Sequence, residues 1–345
     1  MRHQILALIF GFGLVVQGYT AQEKLVEPRE ITPSTCPCVC SGAKPYATAD
    51  FLWWKAQVNN ATFAFNGNGS TASNTNAPRG SFDRPDFTYR PGFKVGLGTK
   101  LSHDGWDLFS QYTWLFVSRN HTLSSATPLG GVDALVPMIA YIPFQQNPAG
   151  VTSLSSASGA WGLRFNVLDL LLGREFWLSP RLSMKPCAGL KFSWNAQDFN
   201  VAMQYATGVT SVKYDMDLSQ FGVAMTGAIN TSYYLWKHWS IYGNFALSGM
   251  WNRIHSLRQN YYTSGGITTL DVNTKSSTHD VTPILEMGLG MRFDTCFSQD
   301  RYKWLLEAGW ESQIWSNQAA FELMNDTSPG NLSMQGLTLK TGFWF

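Results

Sequence analysis

Apolar and polar residues alternate along most of the chain, in segments of 10 to 15 residues. In Gly105–Val117, for example, Trp106 and Leu108 share one face with Trp114, whereas Asp107 lies on the other. A period of two predicts β-strands with one apolar and one polar face. Each segment is long enough to cross a bilayer when it is tilted. The ten segments are Tyr46–Val58, Tyr89–Leu101, Gly105–Val117, Ala160–Gly173, Arg181–Trp194, Phe221–Leu235, Trp239–Trp251, Asp280–Phe293, Arg301–Trp315 and Leu332–Phe345.

The connections between these segments are alternately short and long. Short periplasmic turns and long external loops are typical of outer-membrane barrels. We therefore predict an all-β fold, a transmembrane antiparallel up-and-down β-barrel of about 10 strands with both termini in the periplasm. The long connections are 59–88, 118–159, 195–220, 252–279 and 316–331, all rich in Asn, Ser, Thr or Gly.

Two of the long connections contain hairpin patterns of their own. They are Phe199–Tyr205 with Val209–Tyr214, and Gln259–Thr263 with Ile267–Val272. We expect them to extend barrel strands above the membrane, because the charged residues near the second hairpin suit lipid poorly. As further spanning pairs they would raise the number of strands to about 12–14.

The beginning of the chain has the pattern of a secretory signal peptide. A basic start is followed by the apolar run Ile5–Val16, which is too short to span a bilayer as a helix. We predict a signal peptide over residues 1–21, a Cys- and Pro-rich periplasmic leader over 22–45 and the barrel over 46–345. A soluble exported protein is the alternative at this stage.

The end of the chain is an alternating strand that finishes on aromatic residues. Leu339, Phe343 and Phe345 share its apolar face. Such a strand is the signal that the barrel assembly machinery of the bacterial outer membrane reads. We therefore predict that these three residues are an assembly signal and that the protein lies in the bacterial outer membrane.

The composition supports a barrel in lipid. Only 14% of the residues are charged, well below the roughly 25% of an average soluble protein. Aromatic residues also reach 14%, and many of the fourteen Trp lie near predicted strand ends, as an aromatic girdle requires. A soluble β-sandwich alternates too, but it explains this distribution poorly. The net charge of +2 gives no reason to expect a nucleic-acid partner.

One predicted strand breaks its own pattern. Leu163 and Val167 fall on one face, but Leu168 and Leu172 fall on the other. A β-bulge near Val167 and Leu168 would keep the apolar face outward throughout and turn Asp169 inward.

Seven motifs along the chain carry a resemblance to a known family: Ala49–Ala56, Pro91–Gly98, His103–Asp107, Asn166–Asp169, Gly173–Phe176, Lys185–Pro186 and Gly189–Lys191. Together they resemble the Legionella-type major outer membrane protein family, which is also found in Chlamydia-related bacteria. The resemblance spans residues 46–345 and implies a pore-forming outer-membrane β-barrel. The Cys-Pro-Cys-Val-Cys leader is not part of it.

A porin-like passive diffusion channel for small hydrophilic solutes and ions is the first functional expectation. Charged residues on the polar faces would line a wet lumen, because they are costly in lipid. Their eight basic and five acidic side chains predict a weak anion preference. The predicted pore-lining residues are Lys94, Lys100, Asp107, Arg164, Asp169, Lys185, Lys191, Glu286, Arg292, Lys303, Glu307, Glu311 and Lys340.

Two other classes of function stay open. The long loops would also suit a surface adhesin or structural protein. A barrel-borne protease or phospholipase would need His paired with a carboxylate or a nucleophile, and His255 or His279–Asp280 near the external rim are the candidates. We expect no enzyme, no cofactor and no metal site.

The remaining expectations concern the mouth and the partners. Part of the 118–159 connection is apolar and is expected to fold into or over the mouth and narrow the channel. Cys36, Cys38 and Cys40 are expected to form disulfides with neighbours or within a homo-oligomer. The other expected partners are outer-membrane lipid, lipopolysaccharide and the assembly machinery.

Overall fold

The computed structural model describes residues 44–59, 61–67, 80–101, 105–124, 134–139, 154–206, 210–297, 302–319, 321 and 330–345. The predicted signal peptide and the three leader cysteines lie outside this part of the chain. The strands are β1 (Lys44–Val58), β2 (Ala64–Gly67), β3 (Gly80–Asp83), β4 (Tyr89–Lys100), β5 (Trp106–Ser124), β6 (Ala134–Pro137), β7 (Leu154–Arg174), β8 (Phe176–Ser179), β9 (Leu182–Tyr205), β10 (Thr210–Tyr234), β11 (Trp239–Ser264), β12 (Ile267–Phe297), β13 (Tyr302–Ala319) and β14 (Gly330–Trp344).

Ten of these strands close into an antiparallel barrel. Its order is β1, β14, β13, β12, β11, β10, β9, β7, β5 and β4, and β4 pairs back onto β1. The first and last strands meet through pairs such as Phe51 with Leu339. The predicted barrel of ten strands is thereby confirmed. Within the described ranges, no helix has the length and hydropathy of a transmembrane segment.

The two hairpin patterns extend barrel strands, as expected, and add no spanning pairs. β9 pairs with β10 up to Gln204 and Ser211, and β11 pairs with β12 up to the Gly265–Gly266 turn. Both glycines have positive φ, at 60° and 83°, which is the conformation that a two-residue hairpin turn with matching twist requires. One side of the barrel wall is therefore much taller than the other.

The apolar faces of the strands point away from the barrel axis. Large side chains such as Leu97, Met225 and Leu289 are 70%, 79% and 64% exposed. In water this outer surface would be a far larger apolar patch than soluble monomers carry. It is suited to lipid.

The predicted assembly signal lies on this outer surface at the end that carries the short connections, referred to below as the turn end. Leu339 and Phe345 are exposed, and the rings of Phe343 and Phe345 are 5.0 Å apart. The amide of Phe345 donates a hydrogen bond to the carbonyl of Pro45 at 3.1 Å. The last residue is thus fixed to the first strand.

Deletion of Phe343–Phe345 is expected to abolish assembly of the barrel. It removes the terminal aromatic residues and the contact that closes β14 onto β1. Folded barrels of this kind migrate differently in gels before and after heating, so heat modifiability of the membrane fraction measures the outcome. A Phe297→Ala variant, which loses one outward aromatic at the same end, should still assemble. Normal amounts of heat-modifiable protein from the deletion would refute the prediction.

The β-bulge predicted in β7 is not present. β7 keeps one register with β5 from Trp106–Arg174 to Ser124–Ser156, and Arg164–Ala196 and Val167–Ser193 keep one register with β9. Leu163, Phe165 and Val167 therefore point inward and are buried. The prediction was wrong because this part of the barrel interior is apolar and accepts them.

Candidate functional site: the barrel lumen

The alternation places polar side chains in a cavity inside the turn end of the barrel. The cavity has a volume of about 590 Å³. Twelve of the thirteen predicted pore-lining residues line it: Lys94, Lys100, Asp107, Asp169, Lys185, Lys191, Glu286, Arg292, Lys303, Glu307, Glu311 and Lys340.

Arg164 is the exception. It is exposed and pairs with Phe116, which is itself 47% exposed on the outer surface. Because β7 has no bulge, Arg164 points outward together with Leu168 and Leu170. The assignment of Arg164 to the lumen was wrong because it assumed that Leu163 and Phe165 face lipid, whereas both are buried inside the barrel.

Ion pairs line the cavity, and three of them join strands that are not neighbours: Lys191–Glu286, Lys94–Glu311 and Lys185–Asp107. Lys191 on β9 lies 2.6 Å from Asp169 on the neighbouring strand β7 and 2.7 Å from Glu286 on the more distant β12. Lys94 on β4 lies 2.6 Å from Glu311 on β13. Three more pairs are Arg292 with Glu307, Lys185 with Asp107, and Lys303 with Asp294. These pairs fix the position of the charged groups that a solute in the cavity would meet.

Three charged residues of the cavity were missed by sequence reasoning. Lys44, Asp50 and Glu175 also line it. Asp50 is only 5% exposed and lies between Lys94 and Lys340 on the neighbouring strands. It alternates with outward-facing aromatic residues in the sequence, so the same rule that located the other residues would have found it.

These additions change the charge balance of the lumen. The described cavity residues include eight basic side chains and seven acidic ones, whereas eight and five were expected. The basic set gains Lys44 and loses Arg164, and the acidic set gains Asp50 and Glu175. The excess of positive charge falls from three to one, so the lumen gives little reason to expect an anion preference.

Above the cavity, an apolar layer seals the lumen. Phe165 on β7 and Trp315 on β13 belong to strands on opposite sides of the ten-strand ring, yet their ring centroids are 5.1 Å apart. Both side chains are buried, and Trp54, Leu115 and other inward residues pack in the same cluster. The two rings in edge-to-face contact, together with the buried apolar side chains packed around them, fill the lumen at this height. We call this contact the Phe165–Trp315 seal.

Segments from the long connections add to the cluster around the seal. Leu135 and Ile139 are buried in it, as expected for part of the 118–159 connection, although residues 140–153 of that connection lie outside the described chain. Phe63 and Phe321 are buried in it as well. The inward folding of these two segments was not predicted.

The histidines proposed for catalysis do not form the expected pair. His279 and Asp280 are successive residues of β12 and so point to opposite faces. The ring of His279 stacks on Trp251 at 5.7 Å, and Asp280 accepts a hydrogen bond from Asn317. His255 lies on the outer face of β11.

A histidine–carboxylate contact that the sequence did not predict lies near the mouth. Nδ1 of His121 is 3.1 Å from a carboxylate oxygen of Asp86. Burial raises the pKa of the neighbouring Asp83, and the charge of His121 opposes that rise. The contact is partly open to solvent.

The cysteines that the structure describes are free thiols, Cys187 buried and Cys296 exposed. The same residues contain no cluster of three or more His, Cys, Asp or Glu that could hold a metal ion. The predicted disulfides of Cys36, Cys38 and Cys40 fall outside the described chain and stay predictions.

A protein-family comparison identifies the chain by sequence. Residues 35–345 match the model of the Legionella pneumophila major outer membrane protein precursor. The chain belongs to this family. The match covers nearly the whole chain and confirms the resemblance seen in its motifs. It begins at residue 35, so it also includes the Cys-Pro-Cys-Val-Cys sequence, and the exclusion of that sequence from the resemblance was wrong. Together with the barrel, membership of this family places the protein in the bacterial outer membrane.

Other comparisons add only the general likeness of the fold. The outer membrane protease OmpT from Escherichia coli is 10% identical, with a TM-score of 0.42 over 88% of this chain and 96% of that one. The toluene transporter TodX from Pseudomonas putida is 8% identical, with a TM-score of 0.27 over 88% and 89%. Such scores carry no argument about function. A search of curated proteins finds no significant match.

Proposed function

We propose that this member of the Legionella-type major outer membrane protein family is a gated passive diffusion channel for small hydrophilic solutes and ions. The observation that carries the proposal is the polar cavity inside the turn end, which is lined by ionisable side chains. Charged residues in a membrane protein face water-filled spaces or one another, because facing lipid is costly. The Phe165–Trp315 seal makes the described conformation the closed one.

A polar stripe along one wall supports a path past the seal. Gln197 donates a hydrogen bond to the carbonyl of Gln318 at 2.7 Å, and Gln318 donates one to Thr282 at 3.1 Å. Asn252 also donates to Thr282, at 2.8 Å. These buried groups lie on β9, β11, β12 and β13, beside the apolar cluster. They could solvate an ion that the apolar side chains would exclude.

The inward-folded segments are suited to move without opening the barrel. Among the described residues, β2 pairs with β3 and β6 and with no barrel strand, and β6 joins the barrel wall through the one pair Leu135–Leu154. Their withdrawal would remove Phe63, Leu135 and Ile139 from the apolar cluster and leave the pairing of the ten barrel strands intact.

The proposed orientation follows from the lengths of the connections. We place the turn end and both termini in the periplasm, and the tall side of the wall outside the cell. In this orientation the polar cavity opens to the periplasm and the seal faces outward. The proposed partners are membrane lipid, lipopolysaccharide, the assembly machinery and further copies of the chain.

Conductance in planar bilayers tests the channel directly. We expect the purified barrel to show brief openings at low frequency, because the closed conformation predominates. With the charges nearly balanced, the reversal potential across a tenfold KCl gradient should stay close to zero. A folded barrel that never conducts, either as wild type or after deletion of residues 134–139, would refute the proposal.

A surface structural role is the second candidate. It is favoured by the β11–β12 extension, in which residues from Ile267 to Asp280 are exposed except for Val272 and Ser276. Deletion of 259–278 should then reduce attachment to host cells or to neighbouring bacteria and leave conductance unchanged.

We further propose that the barrel has no catalytic site, and a hydrolytic activity lost in a His121→Ala variant would contradict this.

A further inference from the structure

The outer face of the tall wall carries a groove that the proposed channel does not use. Its volume is about 600 Å³, and it crosses β5, β7, β9, β10, β11 and β12 at the end away from the turns. Small hydroxyl side chains cover much of it, namely those of Thr122, Ser156, Ser158, Ser211, Thr263 and Thr268. The groove is therefore polar, although it lies on the same face of the strands that is apolar lower down.

The groove lies above the part of the wall that faces lipid. The large apolar residues on the outer faces of β9 and β10 end at the pair Trp194–Phe221, and the outward residues beyond that pair are polar or small. Lys213 in the groove lies eight residues before Phe221 on β10, on the side away from the turn end. At about 3.3 Å per residue and a tilt near 45°, it lies about 20 Å above the apolar band.

One wall of the groove combines an aromatic ring with hydrogen-bonding groups. The Nζ of Lys213 lies 5.9 Å from the ring centroid of Tyr261 and 2.7 Å from a carboxylate oxygen of Asp215. The hydroxyl of Tyr261 donates to Gln259 at 3.2 Å. This hydrogen bond fixes the Tyr261 ring in the groove.

We propose that this groove binds a neutral saccharide segment of the lipopolysaccharide that surrounds the barrel. A sugar ring offers an apolar C–H face to Tyr261 and several hydroxyls to the Ser and Thr side chains, which can both donate and accept. Lys213 is the only cation among the described residues of the groove, and Asp215 neutralises it. The groove therefore favours an uncharged stretch of saccharide over phosphate groups.

The height and direction of the groove determine which saccharide it meets. It opens sideways from the barrel wall, above the lipid-facing surface, and not along the channel axis. With the long connections outside the cell, the molecules beside the wall at this height are the sugars of the outer leaflet. The inference rests on that orientation and does not require that the barrel conducts.

Calorimetric titration of the folded barrel in detergent tests the groove. The probe is lipid-free oligosaccharide released from the lipopolysaccharide of the producing bacterium. We expect saturable binding that Tyr261→Ala weakens about tenfold or more and that Ala202→Trp, which fills the groove, abolishes. The matched controls are Tyr233→Ala, an outward tyrosine near the turns, and Ala196→Trp, lower on the same strand. Both should bind as wild type does.

Three results would overturn the assignment. They are the absence of saturable binding, binding that Tyr261→Ala and Ala202→Trp leave unchanged, and equal binding of dextran of the same size. Heat modifiability shows whether each variant is folded. Tyr261→Ala removes only outward atoms and decides the question if Ala202→Trp does not fold. Conductance should be the same in all four variants, so failure of this proposal and failure of the channel are distinguishable.

Discussion

Replacement of both Phe165 and Trp315 by alanine is expected to raise the conductance of the barrel several-fold. The two rings meet at 5.1 Å from opposite sides of the lumen. Their removal takes away the contact that spans the axis, while the ten strands keep their pairing. Single-channel recording in planar bilayers should show longer and larger openings than in the wild type.

The cost of the change in stability must be measured alongside its effect on conductance. Truncation of a buried Phe or Trp to alanine destabilises proteins by about 3–5 kcal/mol. A matched control is the double variant Phe221→Ala and Trp251→Ala, because these aromatics are exposed on the outer surface, at 55% and 60%. The control should conduct as the wild type does. Equal conductance of the two double variants in folded barrels would show that the seal does not limit the path.

The strands and the outer surface of this barrel were predictable from the sequence because lipid imposes one rule on every strand. Residues facing it must be apolar, as Leu97 and Met225 are, and their neighbours in sequence must then face inward. Strand number, strand direction and the position of most lumen charges follow from this alternation. The same rule located Lys94 and Glu311.

The apolar half of the interior was not predictable in the same way. Where β7 carries Phe165 inward and Leu168 outward, both faces are apolar, and alternation cannot tell lipid from a packed core. The assumption that the whole lumen is polar led to the incorrect bulge and to the inward assignment of Arg164. The burial of Phe63 and Phe321 in the apolar cluster was not predictable either. Both residues belong to long connections, in which no alternation of apolar and polar residues indicates the direction of a side chain.

Contacts across the lumen were also beyond the sequence. Lys94 and Glu311 are 217 residues apart and lie on strands that do not pair. Their meeting depends on the width of the barrel and on the height of each strand, and both are set by registers that alternation alone does not determine. The sequence therefore located the charges but not their partners.

Replacement of Lys191 by methionine is expected to be the most destabilising change of a single charge. Lys191 is 3% exposed and contacts both Asp169 and Glu286. Methionine keeps most of the length and removes the ammonium group, so that Asp169 and Glu286 lose the cation that both of them contact. Removal of one partner from a buried ion pair typically costs about 3–5 kcal/mol. Denaturant titration of the folded barrel in lipid measures the loss.

Two further variants separate this effect from ordinary loss of packing. Lys100→Met breaks a longer and more exposed pair with Glu175, at 3.7 Å, and should cost no more than about 1 kcal/mol. Addition of Asp169→Asn and Glu286→Gln to Lys191→Met removes the uncompensated charges and should restore most of the stability. If Lys191→Met were no more destabilising than Lys100→Met, the charges of the cavity would already be well solvated in the closed barrel. The ion pairs would then not be what holds the carboxylates in place.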